Sequence, residues 1–347
     1  MPEPRTPVPQ EAKAWEALPD EKLLDLRLGD LGLNLRQSRM TPFLVQIRRE
    51  IRGRRLRFRP HFWISDEWFS PDGVPGIAIP FYLVHPRLMR LEERQMLEVE
   101  GAEPDECLRI LRHEVGHALD NAYRLHRSRP WRRIFGRFSQ KYPDHYQPRP
   151  YSKKYVQHLA SWYAQSHPAE DFAETFAVWL APGDGWRQRY AGWPALRKLQ
   201  FVDALMAEIG STLPRVRSRV RVDVLNRQTR TLREHYETKR GWYVKHRPEF
   251  YDADLRRLFS DAPEHARQPP AWTLLNRLRP EIRRAVARGT GEYQYTVDQA
   301  LKAMVGRCRD LRLRVHRPVE QVRLEATILL TVQTMNFLNS GHHRVPL

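Results

Sequence analysis

The run HEVGH, at residues 113 to 117, constrains the fold more than any other stretch of this sequence. Residues four apart on a helix lie on the same face, so His113 and His117 would present two imidazoles to a single point. Pro104 and Asp105 are typical of a helix start. The apolar residues around the motif recur at three- and four-residue spacing, as a half-buried helix requires. They are Leu108, Leu111, Val115, Ala118, Leu119 and Ala122. The sequence therefore predicts a helix with two paired histidines.

Two imidazoles at this spacing are typical zinc ligands, and Glu114, one step round the helix, could reach a water at the metal. A catalytic zinc needs a third protein ligand and an open fourth position. The pattern with a third histidine six residues after His117 fails, because Tyr123 stands there. His126 lies nine residues on and is out of reach. The third ligand must therefore come from another part of the chain.

A second stretch offers acidic ligands. Residues 163–180 read YAQSHPAEDFAETFAVWL, with Pro168 suited to a first helical turn. Glu170 and Glu174 are four apart and share a face, while the large apolar residues lie on other faces. One acid would ligate the metal. The other would accept a hydrogen bond from the far nitrogen of His113 and fix its tautomer.

The two motifs together resemble those of the gluzincin metallopeptidases, most closely the bacterial family called putative zinc-binding metallopeptidases and the catalytic domain of anthrax lethal factor. HEVGHALD is followed by Tyr163, and seven residues later by the first Glu of AEDFAETF, as in lethal factor. The resemblance implies that Glu170 is the third zinc ligand and that Glu174 orients His113. It implies that Tyr163 donates its hydroxyl to the oxyanion of the tetrahedral intermediate. One catalytic Zn²⁺ ion, Glu114 as general base and a peptide or protein substrate complete this expectation.

Strand-forming residues precede the metal-binding helix. Residues 56–65 alternate in part, residues 76–85 are rich in strand formers, and Pro and Gly between them predict a turn. These stretches predict the small mixed sheet that zincins carry beside their active-site helices. The resemblance to the bacterial family runs from about Leu24 to about Arg240. We therefore expect an α+β, zincin-like metallopeptidase domain over residues 21–240.

The two ends of the chain differ from this domain. Residues 1–20 have prolines at positions 2, 4, 7 and 9 and predict a flexible lead-in. Residues 241–347 predict a mostly α-helical C-terminal extension, with its clearest helices at 297–313 and 319–338. The second of these helices is apolar on more than one face, which predicts extensive burial. Nothing in the extension indicates chemistry.

The chain is strongly basic, with 59 Lys and Arg against 41 Asp and Glu and a formal net charge of +18. A basic surface attracts nucleic acid, anionic lipid or acidic protein, but these bases are spread along the whole sequence. Residues 215–224 alternate arginine with valine, which predicts an edge strand or an extended connector. We interpret these arginines as a guard against edge aggregation rather than as a phosphate-binding stripe.

Three functions remain open at this stage. The first is a zinc-dependent endopeptidase. The second is a basic protein- or nucleic-acid-binding module with a non-catalytic zinc, and the third is a protease that acts on nucleic-acid-bound proteins. Glu114 favours a peptidase, because a structural zinc site needs no general base and is usually closed by four protein ligands.

The sequence also bears on the cellular compartment. No apolar run reaches the roughly 18 residues that a membrane span requires, and the N-terminal residues show no apolar signal region. The two cysteines, Cys107 and Cys308, lie far apart in sequence, which argues against a disulfide framework. We therefore expect a cytoplasmic protein with reduced thiols and no membrane span.

Overall fold

A computed structural model of the chain describes residues 13–143, 145–243, 251–338 and 343–344. Residues 1–12 of the predicted flexible lead-in lie outside this part. The rest of the lead-in contains a 3₁₀ turn at Ala14–Ala17. Within it, Trp15 is buried and donates through Nε1 to the carbonyl of Leu31 at 3.1 Å. The expected flexibility therefore does not extend to Trp15.

The described residues form thirteen α-helices and two very small sheets. The helices are α1 (Asp20–Leu24), α2 (Met40–Gly53), α3 (Pro86–Met96), α4 (Pro104–Tyr123), α5 (Arg129–Phe135), α6 (Pro168–Leu180), α7 (Trp186–Arg189), α8 (Ala195–Ile209), α9 (Leu232–Tyr243), α10 (Asp252–Leu258), α11 (Ala271–Thr290), α12 (Gln294–Asp310) and α13 (Val319–Phe337). None of these helices is long and apolar enough to cross a membrane. The architecture is mostly helical and is compatible with the α+β class.

The sheet beside α4 is smaller than predicted. Strands β1 (His61–Ser65) and β2 (Gly76–Pro80) pair in parallel. An isolated antiparallel bridge joins Phe69, in their connection, to Ala78. Strand β2 ends at Pro80, which has no N–H for a longer ladder, and a 3₁₀ turn follows. The expected mixed sheet is therefore a two-stranded parallel sheet with a single antiparallel bridge.

Two other segments bear on the sequence predictions. The two-residue strands β3 (His145–Tyr146) and β4 (His343–Arg344) pair antiparallel, so the connection between the motif helices contacts the C-terminal end of the chain. Residues 215–224 pair in no ladder with any described residue. Of the two alternatives for this stretch, the structure therefore shows the extended connector.

Two separate hydrophobic cores organise the described chain. The larger core gathers buried side chains between Trp15 and Tyr236, including the inner faces of α4, α6 and α8. The smaller core gathers buried side chains between Tyr251 and Leu330, from α10 to α13. Cys107 lies in the first core and Cys308 in the second, each as a free thiol. The domain boundary near residue 240 stays a prediction, because residues 244–250 lie outside the described part.

Helix α13 differs from its expected burial. Its inner face packs into the smaller core through residues such as Val322 and Ala326. Its opposite face leaves Leu324, Ile328 and Val332 at least half exposed. The expected extensive burial of this helix is therefore limited to its inner face among the residues that the structure describes.

Candidate metal centre

Helices α4 and α6 carry the two motifs and pack directly against each other. Gly116 of α4 faces Ala173 of α6, and a Cβ on residue 116 would lie 2.8 Å from the Ala173 Cα. Side-chain atoms do not approach a neighbouring backbone this closely, so the helix spacing requires glycine here. This close approach brings the histidine face of α4 against the acidic face of α6.

Three candidate ligand atoms converge between these helices. His113 Nε2 lies 3.0 Å from both His117 Nε2 and Glu170 Oε2, and His117 Nε2 lies 3.1 Å from Glu170 Oε2. Tetrahedral zinc with bonds of about 2.0–2.1 Å holds its ligand atoms about 3.3 Å apart. The observed triangle is close to one face of such a tetrahedron. Two imidazoles and one carboxylate are also a ligand set that catalytic zinc uses, so these residues fit a metal ion.

Two of the three candidate ligands are oriented by a further hydrogen bond. His113 Nδ1 lies 2.8 Å from Glu174 Oε1, and this bond directs Nε2 at the other two ligand atoms. The second oxygen of Glu174 accepts a hydrogen bond from the Leu159 N–H at 2.9 Å. The Tyr142 hydroxyl donates to Glu170 Oε1 at 2.7 Å, which leaves Oε2 for the metal.

Burial and these contacts set the charges of the metal-free centre. Burial lowers the pKa of His113, but hydrogen bonds to Glu170 and Glu174 outweigh it and hold the pKa well above its usual value. Burial raises the pKa of Glu170, but His117 and His113 outweigh it and hold the pKa well below its usual value. In the metal-free centre, raised imidazole pKa values and the lowered pKa of Glu170 therefore favour protonated imidazoles beside an ionised carboxylate. A cation that binds here must displace protons, as metal ions do at histidine sites.

Glu114 lies beside the ligands with an unsatisfied oxygen. The residue is 8% exposed, and its Oε2 has no hydrogen-bond partner among the described residues. Burial raises the pKa of Glu114, although the neighbouring His117 and His113 oppose the rise. Buried carboxylate oxygens almost always have partners, so this atom calls for one that the protein does not supply. A water or a substrate group would satisfy it.

Tyr163, the predicted oxyanion donor, borders the same site. Its ring centroid lies 5.6 Å from that of His113. Ser161 and Trp162, just before it, have φ values of 57° and 53°. Residues other than glycine rarely adopt this left-handed conformation, and such strain concentrates at functional sites. The structure brings Tyr163 to the centre, while its role stays a prediction.

Sequence reasoning missed two groups, both in the connection between the motif helices. One is the backbone N–H of Leu159, and the other is the Tyr142 hydroxyl. Tyr142 stacks on His167 with ring centroids 3.8 Å apart, which fixes the hydroxyl at Glu170. The connection has no periodic pattern, and its length is the one sequence signal that favours a functional loop.

Residues 92–191 match the sequence profile of the family described as "Putative zinc-binding metallo-peptidase". The matched segment extends from within α3 past α7 and contains both motif helices with their connection. No curated protein and no solved structure gives a significant match to the chain. The family match and the cluster of His113, His117 and Glu170 together support a zinc-binding metallopeptidase.

Proposed function

We propose that the chain is a zinc-dependent endopeptidase of the gluzincin type. The observation that carries the proposal is the convergence of three ligand atoms, from His113, His117 and Glu170, beside the unpartnered Glu114 Oε2. A structural zinc site is usually closed by four protein ligands and has no use for an unpaired carboxylate. The family match over residues 92–191 agrees with this function.

The side chains around the centre would hold and orient the ion. His113, His117 and Glu170 would be its ligands. When bound, zinc supplies a Lewis acid and lowers the pKa of a coordinated water toward neutrality. Glu174 holds the ring of His113 in one orientation, and Tyr142 occupies the second oxygen of Glu170. His113 and Glu170 therefore each present one defined atom to the ion, which raises the metal affinity of the site.

Two further side chains would move protons and stabilise charge. Glu114 Oε2 takes a proton from the attacking water and passes it to the leaving amine nitrogen. Tyr163 donates its hydroxyl to the carbonyl oxygen on which negative charge develops. The contact of its ring with His113 and the strained backbone at the two preceding residues support this role, since such strain concentrates at functional sites.

Glu114→Gln tests the proposal. The amide preserves the shape of the side chain but cannot accept a proton, so we expect unchanged zinc content and fold. We expect kcat/KM to fall by about 10²–10⁴-fold, the usual contribution of a general base. The measurements are metal analysis, circular dichroism and cleavage of a proteome-derived peptide library, with and without a chelator.

Asp105→Asn is the matched control, because Asp105 is an exposed acid in the first turn of the same helix. It should change neither zinc content nor rate. A zinc-loaded Glu114→Gln protein that cleaves as fast as the wild type would overturn the proposed mechanism. Cleavage that persists in a metal-free protein would overturn zinc dependence.

A further inference from the structure

Nine arginines gather where three segments around the larger core meet. They are all the arginines of residues 55–59, 124–127 and 215–221, and every one of them is exposed. We call this surface the basic face. The three segments contain no Asp or Glu. Part of the positive charge that is dispersed along the sequence is therefore brought together here by the fold.

Backbone hydrogen bonds hold the three segments side by side. The Arg57 N–H donates to the carbonyl of Gly210 at 3.0 Å, just before the third segment. The Val216 N–H donates to the carbonyl of Ala122 at 2.9 Å, at the end of α4. These bonds tie the segments to the C-terminal ends of α8 and α4, so the relative positions of the segments are fixed. The basic face is therefore a surface with a fixed arrangement and not a mobile charged loop.

In the first and third segments exposed arginines occupy every second position. Leu56 and Phe58 are buried between the exposed arginines of residues 55–59. A fully extended chain advances about 3.3 Å per residue, so arginines two apart in residues 215–221 lie at most about 6.6 Å apart along the chain, and the row spans at most about 20 Å. Beside this row a depression of about 400 Å³ is lined by Arg219, Arg221 and Arg227. The face therefore offers regularly spaced charges and a concave part.

The nine arginines are uncompensated. None of them forms an ion pair with any described residue. By contrast, seven of the fourteen arginines between residues 251 and 338 form an ion pair with a described residue. Like charges held close together repel and destabilise the fold. Protection of a strand edge does not account for them, because residues 215–224 pair in no ladder within the described part.

We propose that the basic face binds the phosphate backbone of double-stranded nucleic acid. Guanidinium groups match phosphate oxygens in a bidentate geometry. A duplex carries one charge per about 1.7 Å, and release of its condensed counterions drives binding. An extended acidic peptide carries its facing carboxylates, about 6.6 Å apart, along a single line, so it pairs with one row of arginines and leaves those of the other segments unpaired. Single strands need aromatic platforms, but the exposed aromatic residues of the described chain, Tyr151 and Trp242, lie outside the three segments.

The test uses the full chain and a fluorescein-labelled 30-base-pair duplex of arbitrary sequence. Fluorescence anisotropy between 50 and 200 mM salt should show binding whose log K falls linearly with log salt concentration. The triple variant Arg217→Gln, Arg219→Gln, Arg221→Gln should weaken binding more than tenfold at low salt. Its salt slope should be shallower by about 2.7, because each lost phosphate contact removes about 0.9.

A charge-matched triple variant is the control. Arg277→Gln, Arg284→Gln and Arg288→Gln remove three exposed arginines of α11 that have no ion pair with a described residue. This control should keep at least half the affinity of the wild type. Equal losses in the two triple variants would overturn the proposal, because net charge alone would then explain binding.

Three competitors complete the test. Tighter binding of a single strand of the same length would overturn the assignment to duplex. Equal competition by polyglutamate or by anionic lipid vesicles would overturn the assignment to nucleic acid. The inference is independent of the proposed peptidase: the face variant should keep its zinc content, and Glu114→Gln should bind the duplex as the wild type does.

Discussion

The part of the chain that the structure describes contains two buried clusters of histidine and acidic side chains that contrast in one respect: the first fits a metal ion and the second does not. In the metal centre the ligand atoms lie within 3.1 Å of one another. In the second cluster, which we call the Lys239 cluster, Lys239 Nζ lies 2.8 Å from Glu67 Oε1 and 2.9 Å from Glu92 Oε1. The imidazole there, from His235, comes no closer than 3.8 Å to Glu67 Oε1.

The difference lies in what neutralises the acids. In the Lys239 cluster an ammonium group already occupies the place between two carboxylates. Burial, with the positive charges of Lys239 and Arg230, lowers the pKa of His235 to about 3, so that ring stays neutral. In the metal centre no lysine or arginine of the described chain pairs with the acids. Buried acids and histidines therefore indicate a metal site only where their atoms converge and no side-chain cation has replaced the metal.

The largest expected effect comes from removing a ligand of the metal centre. Glu170→Ala deletes one of three ligand atoms, so zinc affinity should fall far beyond a hundredfold. Glu174→Ala leaves all three ligands and removes only the partner of His113, which should weaken zinc binding by about 10–100-fold. Zinc titration against a competing chelator measures both. The reverse order would mean that the roles of the two glutamates are exchanged.

Asp171→Asn is the control for this pair on the same helix. Asp171 is also buried, but its Oδ2 lies 2.5 Å from Lys198 Nζ and not at the centre. Its zinc affinity should equal that of the wild type. A comparable loss of zinc in this variant would show that disturbance of α6, and not ligation, explains the effect of Glu170→Ala.

The next prediction concerns the Lys239 cluster, where a substitution should lower the free energy of unfolding and leave zinc affinity unchanged. Lys239→Met removes the ammonium group and leaves Glu92, which is 2% exposed, without its counter-charge. Breaking a buried ion pair from one side costs about 3–5 kcal/mol of the free energy of unfolding. Urea denaturation measures this loss, and zinc titration should show no change.

A double variant tests whether the unpaired buried charge causes this loss of stability. Adding Glu92→Gln to Lys239→Met removes the more deeply buried of the two carboxylates that lose their counter-charge and leaves the partly exposed Glu67, so part of the lost stability should return. A single variant that loses less than 1 kcal/mol, or one that also loses zinc, would contradict the contrast between the two clusters.

The contrast also explains how much of the site could be read from the sequence. His113, His117 and Glu114 share one helix, and helix geometry alone places them together. Glu170 and Glu174 lie on another helix. Their spacing predicts that they share a face, but the choice of Glu170 as the ligand came from the resemblance to the metallopeptidase family. The close packing that joins the two helices depends on Gly116 against Ala173, a tertiary contact that no local pattern encodes.

Other features could not be read from local patterns at all. Tyr142 reaches Glu170 from an irregular connection, and its direction depends on stacking against His167. The sheet came out smaller than expected because residues 56–60 and 81–84 have strand-like composition but meet no partner strand within the described part. The basic face is formed by three segments distant in sequence, so its concentration of charge arises only on folding.

The smallest effect separates the two tyrosines of the metal centre. Burial and the nearby Glu170 raise the pKa of Tyr142 well above its usual value, so its hydroxyl remains a donor at any working pH. Tyr142→Phe removes a single hydrogen bond to the second oxygen of Glu170. Glu170 then loses its fixed orientation, and zinc affinity should fall by about tenfold, the lower end of the range for such partners. Tyr163→Phe should leave zinc affinity unchanged and lower kcat, because its hydroxyl is needed only when the oxyanion forms. Zinc titration and steady-state kinetics on both variants make the comparison. If Tyr142→Phe lowers kcat at full zinc occupancy while Tyr163→Phe does not, Tyr142 is the oxyanion donor, and the roles inferred for the two tyrosines must be exchanged.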